Sequence, residues 1–299
     1  MKLLLIGGAG QVGQELRRSL APLGQVVVTT RDGRLPDGGN CEPLELQDLE
    51  AVASLVARVA PDAVVNASAY TAVDRAESEP ALAFRINAEA PGRLAVACAA
   101  RCIPLLHYST DYVFDGSGSR PYRDDDTTAP MGVYGASKLA GEQAIADSGG
   151  PHLILRTAWV YARHGQNFLR TMLRLAGERD ELRVVGDQIG SPTPAWLIAD
   201  ATATILRHGI VEPGVRHLVT NGQTSWHGFA EAIMDEAFGR GLITRKPRVI
   251  PITTAEFPTP AKRPGYSVLD CSRLEREYDV ALPQWRDALA RTMATATPG

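Results

Sequence analysis

Apolar residues in this chain come in short unbroken runs. "KLLLI" (2–6), "QVVVTT" (25–30), "DAVVNAS" (62–68), "CIPLLHYS" (102–109) and "HLILRTAW" (152–159) are apolar nearly throughout. That pattern fits strands buried on both faces of a parallel sheet, where alternation is lost. Between the runs lie helical patterns such as "GQELRRSLAPL" and "PALAFRINAEAPGRLAVACAAR". Ser78 is placed to cap the second, and Pro80 suits its first turn. Strand and helix in alternation predict an α/β fold with a doubly wound parallel sheet. After about residue 160 the rhythm loosens into Pro- and Gly-rich pieces, "GDQIGSPTPAW" and "FPTPAKRPGYS". The expected organisation is a sheet domain over 1–160 and mainly a smaller C-terminal domain over 161–299. Some segments of the latter return to the sheet domain. The smaller domain would sit at the C-terminal edge of the sheet, where ligands of such folds bind.

At 299 residues the chain has the length for such a pair of units. Apolar residues make up 44% and charged residues 22%, the balance of a globular protein rather than a disordered one. Net charge is −3 with no Lys/Arg block, which argues against nucleic acid as the main partner. Cys98 and Cys102 lie one helical turn apart, but neither Cys41 and Cys271 nor a nearby His completes a zinc set. They read as buried or idle thiols of a reducing cytoplasm. The start "MKLLLIGGAG" meets glycine too soon for a secretory segment. No apolar run approaches the ~18 residues of a membrane span.

"LLLIGGAGQVGQEL" sets Gly7, Gly10 and Gly13 between a strand and a helix. Glycines there permit a tight turn and let backbone N–H groups approach a pyrophosphate at the helix's positive end. The expectation is a Rossmann-like dinucleotide-binding domain. At the end of the second strand, NAD enzymes carry an acid for the ribose hydroxyls. Here stand Thr30 and Arg31, with Asp32 one step late. A hydroxyl and a guanidinium suit a 2′-phosphate, so NADPH is expected ahead of NADH. The alternative for Arg31 is a solvated loop residue.

Tyr134 and Lys138 in "VYGASKLAGE" share one helix face at i, i+4 spacing. A free phenol, with a pKa of ~10, exchanges protons poorly near neutrality, and a cation beside it lowers that value. Tyr134 thus reads as a general acid for ketone reduction, tuned by Lys138. Thr110 ends the preceding strand, in "HYSTDYVF", where its hydroxyl could hold a substrate carbonyl. The polar loop "DGSGSRPYRDDDTTAPMG" between them has the character of a binding loop.

The glycine turn resembles that of extended short-chain dehydrogenases/reductases acting on nucleotide sugars. Taken with "NASAYTAVDRAESEP", "RTAWVY", "NFLRTMLRLA", "DQIGSPT" and "TPAKRPGYSVLD", the whole chain resembles the dTDP-4-dehydrorhamnose reductase family. That resemblance implies reduction of the C4 ketone of dTDP-4-dehydro-L-rhamnose in the cytoplasm, with Thr110, Tyr134 and Lys138 as catalytic triad. It implies that Gly10, Gln11 and Val12 hold the pyrophosphate and that Glu45 and Leu46 flank the adenine. It places Ala69, Tyr70, Thr71 and Tyr108 along the cofactor. Asp111, Trp159, Gln188 and Arg263 fall to the nucleotide sugar. Read without it, Trp159 is core packing and Arg263 a surface residue. Relatives can bind Mg²⁺ through glutamates at a dimer contact. Glu15 is present, but Trp196 stands where an acid is expected, so no metal site is assigned. Monomer and homodimer both stay open. Rival readings are another nucleotide-sugar 4-ketoreductase or epimerase, and a regulatory subunit of the methionine adenosyltransferase type.

Overall fold

The computed structural model describes residues 1–294. Six strands of the N-terminal half form most of one parallel sheet: β1 (Lys2–Ile6), β2 (Gln25–Thr30), β3 (Glu42–Pro43), β4 (Ala63–Asn66), β5 (Leu105–Thr110) and β6 (His152–Thr157). Three short two-stranded pairs lie beyond them: β7 (Val160–Tyr161) with β10 (Thr193–Pro194), β8 (Glu181–Val185) with β13 (Arg248–Ile252), and β9 (Ile189–Gly190) with β12 (Thr224–Ser225). The remaining strand, β11 (Gly214–His217), returns to the large sheet beside β6, giving the order β11-β6-β5-β4-β1-β2-β3. All these strands run parallel, but the order in which they are added reverses between β1 and β4, and ligands of open α/β sheets bind at that switch point.

The helices are α1 (Gln11–Leu20), α2 (Leu49–Val59), α3 (Val73–Ala76), α4 (Pro80–Phe84), α5 (Ala90–Ala99), α6 (Val133–Asp147), α7 (Phe168–Glu178), α8 (Ala195–His208), α9 (Trp226–Gly239), α10 (Ser272–Tyr278) and α11 (Trp285–Ala294). Successive residues of β1 serve opposite faces of the sheet. Leu3 and Leu5 pack with Leu16 of α1 and Ile198 of α8, while Leu4 and Ile6 pack with Val52 of α2 and Leu94 of α5. Both faces are therefore covered, which is why β1 reads as an unbroken apolar run. Each of these buried side chains contributes about 1.5–3 kcal/mol. A third core joins Leu169 of α7, Phe229 and Ile233 of α9 and Trp285 of α11 around β8.

The patterns of β1 and β2 give their bounds residue for residue, the runs at 62–68 and 152–159 are trimmed, and that at 102–109 is shifted, β5 starting at Leu105 and ending one residue later at Thr110. Strands β3 and β11 had no signal of their own, being short and partly polar. The expected helix over 80–101 is broken by one π-helical turn, Arg85–Glu89, between α4 and α5. Pro80 sits in the first turn as expected. Ser78 does not cap: its hydroxyl donates to the Arg75 carbonyl and closes the turn before.

The π turn has a purpose visible in its contacts. It presents Asn87, whose amide accepts from Tyr70 N–H at 2.8 Å and donates to the Tyr70 carbonyl and to Ser137 Oγ of α6. Asn87 thus ties the loop after β4 to α6. Helix α6 can approach this closely because residue 141 is glycine: a Cβ there would lie 2.0 Å from the Asn87 carbonyl oxygen. A buried pair, Arg156 of β6 with Glu142 of α6 at 2.6 and 2.9 Å, pins the same helix from the sheet side. Gly141→Ala should therefore destabilise the protein by about 1–3 kcal/mol, the usual cost of overpacking. Chemical denaturation checks it; a variant as stable as the parent would show that α6 is free to move outward.

Candidate active site

A groove of about 730 Å³ opens along the switch point, lined by the turn after β1, the ends of β2, β4 and β5, and the first turns of α6. At its floor, Gly7 has φ +86°, and its N–H and that of Gly8 both donate to the Thr29 carbonyl. A Cβ at Gly13 would lie 2.1 Å from the Gly7 oxygen, so strand and helix meet only because both residues are glycine. Gly13 packs behind the turn, whereas Gly7, Gly10, Gln11 and Val12 line the groove. Gly10 caps α1 with no side-chain hydrogen bond, leaving the helix's positive end to a ligand. Gln11 is also tied to the C-terminal half, accepting from Asn167 Nδ2 at 2.8 Å.

Thr30, Arg31, Glu45, Leu46, Ala69, Tyr70, Thr71 and Tyr108 all line the same groove. The Thr30 hydroxyl is committed to the turn, donating to Asp32 and accepting from Arg34 N–H. The Arg34 N–H, and next the Thr30 hydroxyl, hold the Asp32 carboxyl below its ordinary range, and Asp32 lines the groove beside Arg31. Arg31 is exposed at the groove. The Tyr70 hydroxyl donates to Glu79 at 2.6 Å, and that of Tyr108 is bonded to Thr202 at 2.6 Å. This lining fits a dinucleotide: a glycine cradle and open helix end for the pyrophosphate, and a cation at the second strand's end.

Tyr134 and Lys138 stand on one face of α6 at the other end of the groove. Tyr134 meets Tyr112 edge-on, with ring centroids 5.4 Å apart. Desolvation pushes its phenol well above the ordinary value, and the Thr110 hydroxyl opposes the shift. The lowering expected from Lys138 is absent. Lys138 Nζ instead donates to the Tyr108 carbonyl at 2.6 Å and lies 3.2 Å from His107 Nε2. Burial pulls the lysine down to about 8, with Glu142 acting the other way. The phenol is therefore a firmly protonated donor, while the lysine titrates close to neutrality.

The expected sugar-nucleotide residues are placed less uniformly. Thr110 and Asp111 are buried together, the threonine hydroxyl donating to Asp111 Oδ1 at 3.0 Å. Burial raises the Asp111 carboxyl to about 6. Trp159 has φ +48°, a strained setting for a bulky residue, and stacks on Trp226 at 3.6 Å. It is half-buried against the main core, so packing and exposure coexist there. Gln188 donates to Thr254 Oγ1 at 3.0 Å and is buried. Arg263 is ion-paired with Asp74 at 2.7 Å and also reaches Tyr112. None of Thr110, Asp111, Trp159, Gln188 or Arg263 is among the residues lining the 730 Å³ groove.

Sequence reading passed over Ser68, Ser109, Arg75 and Thr157, which line the groove, and Asn66, His107 and Asn87 beneath it. A signal existed for two of them: Asn66 and His107 are polar residues inside otherwise apolar strand runs. Glu15 is ion-paired with Arg18 at 3.3 Å and lies 3.7 Å from the His164 ring, and Trp196 donates to Thr292 beneath the Arg291 guanidinium. This donor set does not fit Mg²⁺, and no metal enters the chemistry below. Among the described residues no helix is long and apolar enough to cross a membrane.

A parallel sheet of this order, with its glycine turn at the switch point and a Tyr-x-x-x-Lys helix facing it, is the architecture of an extended short-chain dehydrogenase/reductase. Residues 1–297 match the family model described as RmlD substrate binding domain. The dTDP-4-dehydrorhamnose reductase of Burkholderia thailandensis is 49% identical over 97% of both chains, and that of Salmonella typhimurium is 44% identical over 98% of this chain and 97% of its own. Among solved structures, the Bacillus anthracis dTDP-4-dehydrorhamnose reductase in complex with NADP superposes with a TM-score of 0.88 at 33% identity, covering 99% of each chain. The Clostridium acetobutylicum enzyme of the same name gives 0.89 at 34%, covering 98% of this chain and 99% of its own. The chain belongs to the RmlD family, that of the dTDP-4-dehydrorhamnose reductases.

Asp111 gives a test of the site's electrostatics. The unfolded carboxyl keeps its ordinary pKa near 4, so between about pH 4 and 6 the folded state binds more protons than the unfolded one. Folding stability therefore falls as pH rises through that window, and the penalty is complete above it. Asp111→Asn removes this slope. Measured melting should show the variant gaining on the parent by about 2–3 kcal/mol between pH 4 and pH 7, at about 1.4 kcal/mol per pKa unit. A difference that stays constant with pH would mean that the carboxyl is solvated.

Proposed function

We propose that the protein reduces the C4 ketone of dTDP-4-dehydro-L-rhamnose to dTDP-L-rhamnose. The carrying observation is that Tyr134 and Lys138 open onto the same groove as the glycine turn, so the dinucleotide and the proton donor meet at one place. NADPH, when bound, supplies the hydride that reduces the carbonyl carbon. Tyr134 donates its phenolic proton to the carbonyl oxygen. Thr110 hydrogen-bonds that oxygen and holds it in line. Lys138 orients the ribose and, as ammonium, stabilises the phenolate left behind by the transfer. Gly10, Gln11 and Val12 would hold the pyrophosphate, Glu45 and Leu46 would flank the adenine, and Ala69, Tyr70, Thr71 and Tyr108 would line the rest of the cofactor. Asp111 and Trp159 serve the sugar nucleotide. Arg263 would serve its diphosphate after release from Asp74, and Gln188 would support the pocket wall through Thr254.

In this reading residues 1–160 bind the dinucleotide and 161–299 mainly the nucleotide sugar, with α8 and β11 returned to the first. Both small molecules are cytoplasmic metabolites, which supports a location there.

Tyr134→Phe deletes one hydroxyl and leaves the ring contact with Tyr112. kcat should fall by about 10²–10⁴-fold, the usual contribution of general acid catalysis, with cofactor binding retained. A variant keeping more than half of kcat, with chemistry shown to limit the rate, would move the proton donor elsewhere.

Cofactor choice follows from Arg31, an exposed cation of the groove wall beside Asp32, whose carboxylate is already engaged by the Thr30 hydroxyl and the Arg34 N–H. Charge-assisted hydrogen bonds contribute about 1.5–3 kcal/mol, or roughly ten- to hundred-fold in kcat/KM. NADPH should be preferred over NADH by that factor, and Arg31→Ala should erode the preference mainly through NADPH. Steady-state kinetics with both cofactors decide it; an unchanged ratio in the variant would leave Arg31 a solvated loop residue.

A further inference from the structure

Beneath the groove runs a chain of buried polar groups from the loop after β4 to the lysine of α6. Ser68 donates to Asn66 Oδ1 through both its backbone N–H, at 3.1 Å, and its hydroxyl. Asn66 Nδ2 lies 3.1 Å from His107 Nδ1, and His107 Nε2 lies 3.2 Å from Lys138 Nζ. Asn66 and Lys138 are each 2% exposed and His107 is fully buried, so no solvent completes these bonds.

The direction of the chain is fixed at its start. A backbone N–H only donates, so the Asn66 atom facing Ser68 is the carbonyl oxygen, and its amide nitrogen faces the histidine. His107 Nδ1 must then accept, which puts the ring proton on Nε2. Burial, and next the neighbouring Lys138, hold the ring neutral, its pKa well below the ordinary value. An Nε2–H pointing at Nζ is satisfied only by a lone pair, which an amine has and an ammonium lacks. The other tautomer gives no relief, since Nδ1–H would then face the Asn66 amide, donor against donor. A charged Lys138 leaves one clash in either arrangement; a neutral one leaves none.

We propose that His107 is a positioning residue of this site: its Nε2–H donates to Lys138 Nζ, and the fixed polarity of Ser68–Asn66–His107 sets the pH above which Lys138 loses its charge. On its own helix Lys138 has Tyr134 one turn before it and Glu142 one turn after it, and of these Glu142 acts on its charge. Glu142 favours the ammonium but is shared with Arg156 of β6. From β5 come only the His107 ring and the Tyr108 carbonyl, and the carbonyl accepts from both forms of the lysine. The histidine is thus the group that discriminates between amine and ammonium.

This inference rests on reading Tyr134 and Lys138 as the reacting pair, but its first test needs no turnover. Long-range ¹H–¹⁵N correlation on ¹⁵N-histidine-labelled protein, assigned through the residue's own backbone, reads the tautomer directly. Above the basic limb of the activity profile His107 should carry its proton on Nε2; a proton on Nδ1 would overturn the proposal. The second test is Asn66→Asp, whose carboxylate accepts from both Ser68 and the ring. It should transfer the proton to Nδ1, turn Nε2 into an acceptor, and raise the basic limb of kcat/KM by about 1–3 pH units. A folded variant with the parental tautomer and an unmoved limb would show that His107 only packs. Should the reductase reading itself be wrong, the wild-type tautomer would stand unaffected, so the two failures are distinguishable.

Discussion

A lysine amine buried to 2% exposure and bonded to the Tyr108 carbonyl is the constraint on which this structure turns. An ammonium removed from water is costly unless partners are supplied, and its helix must be held so that they stay in place. The supports converge on α6: Arg156 grips Glu142 from β6, Asn87 bridges to Ser137, and the glycine at 141 lets the helix touch the π turn. Tyr134 sits one turn before the lysine and inherits its position from the same contacts. The site is thus a consequence of how α6 is docked on the sheet.

The two ends of the groove answer to different physics. At the glycine turn, specificity for a dinucleotide comes from missing side chains and a helix end. At α6 it comes from burial, which protonates the tyrosine firmly and brings the lysine down toward neutral pH. The firmly protonated phenol and the tunable cation are set apart by their surroundings, although only four residues separate them in the chain. The segment carrying Arg263 approaches from the C-terminal half and is latched to Asp74, an ion pair that reaches across the fold.

What was legible in the sequence followed from locality. Strands buried on both faces declared themselves as apolar runs, and the glycine turn sits within a single strand-to-helix connection. Strand β11 was not legible because its Arg216 is buried against Glu277, a partner far along the chain that hides the residue's charge. The π turn kept a helical pattern while changing the register of its hydrogen bonds. Gln188 and Arg263 are engaged by Thr254 and Asp74, and no spacing rule reaches that far. His107 was read as one more strand residue. Its significance lies in which atoms donate and accept around it, and only the folded arrangement reveals that.

The central claim is a direct hydride transfer to C4 of a dTDP-linked 4-keto sugar, with the proton delivered from Tyr134. Following the reaction with NADPH deuterated at the transferable position of nicotinamide C4, and locating the label in the product by NMR, tests it most directly. The account predicts one deuterium at C4 of the sugar and none at its other carbons. Product formed with hydrogen from solvent at C4, or label at a neighbouring carbon, would contradict it.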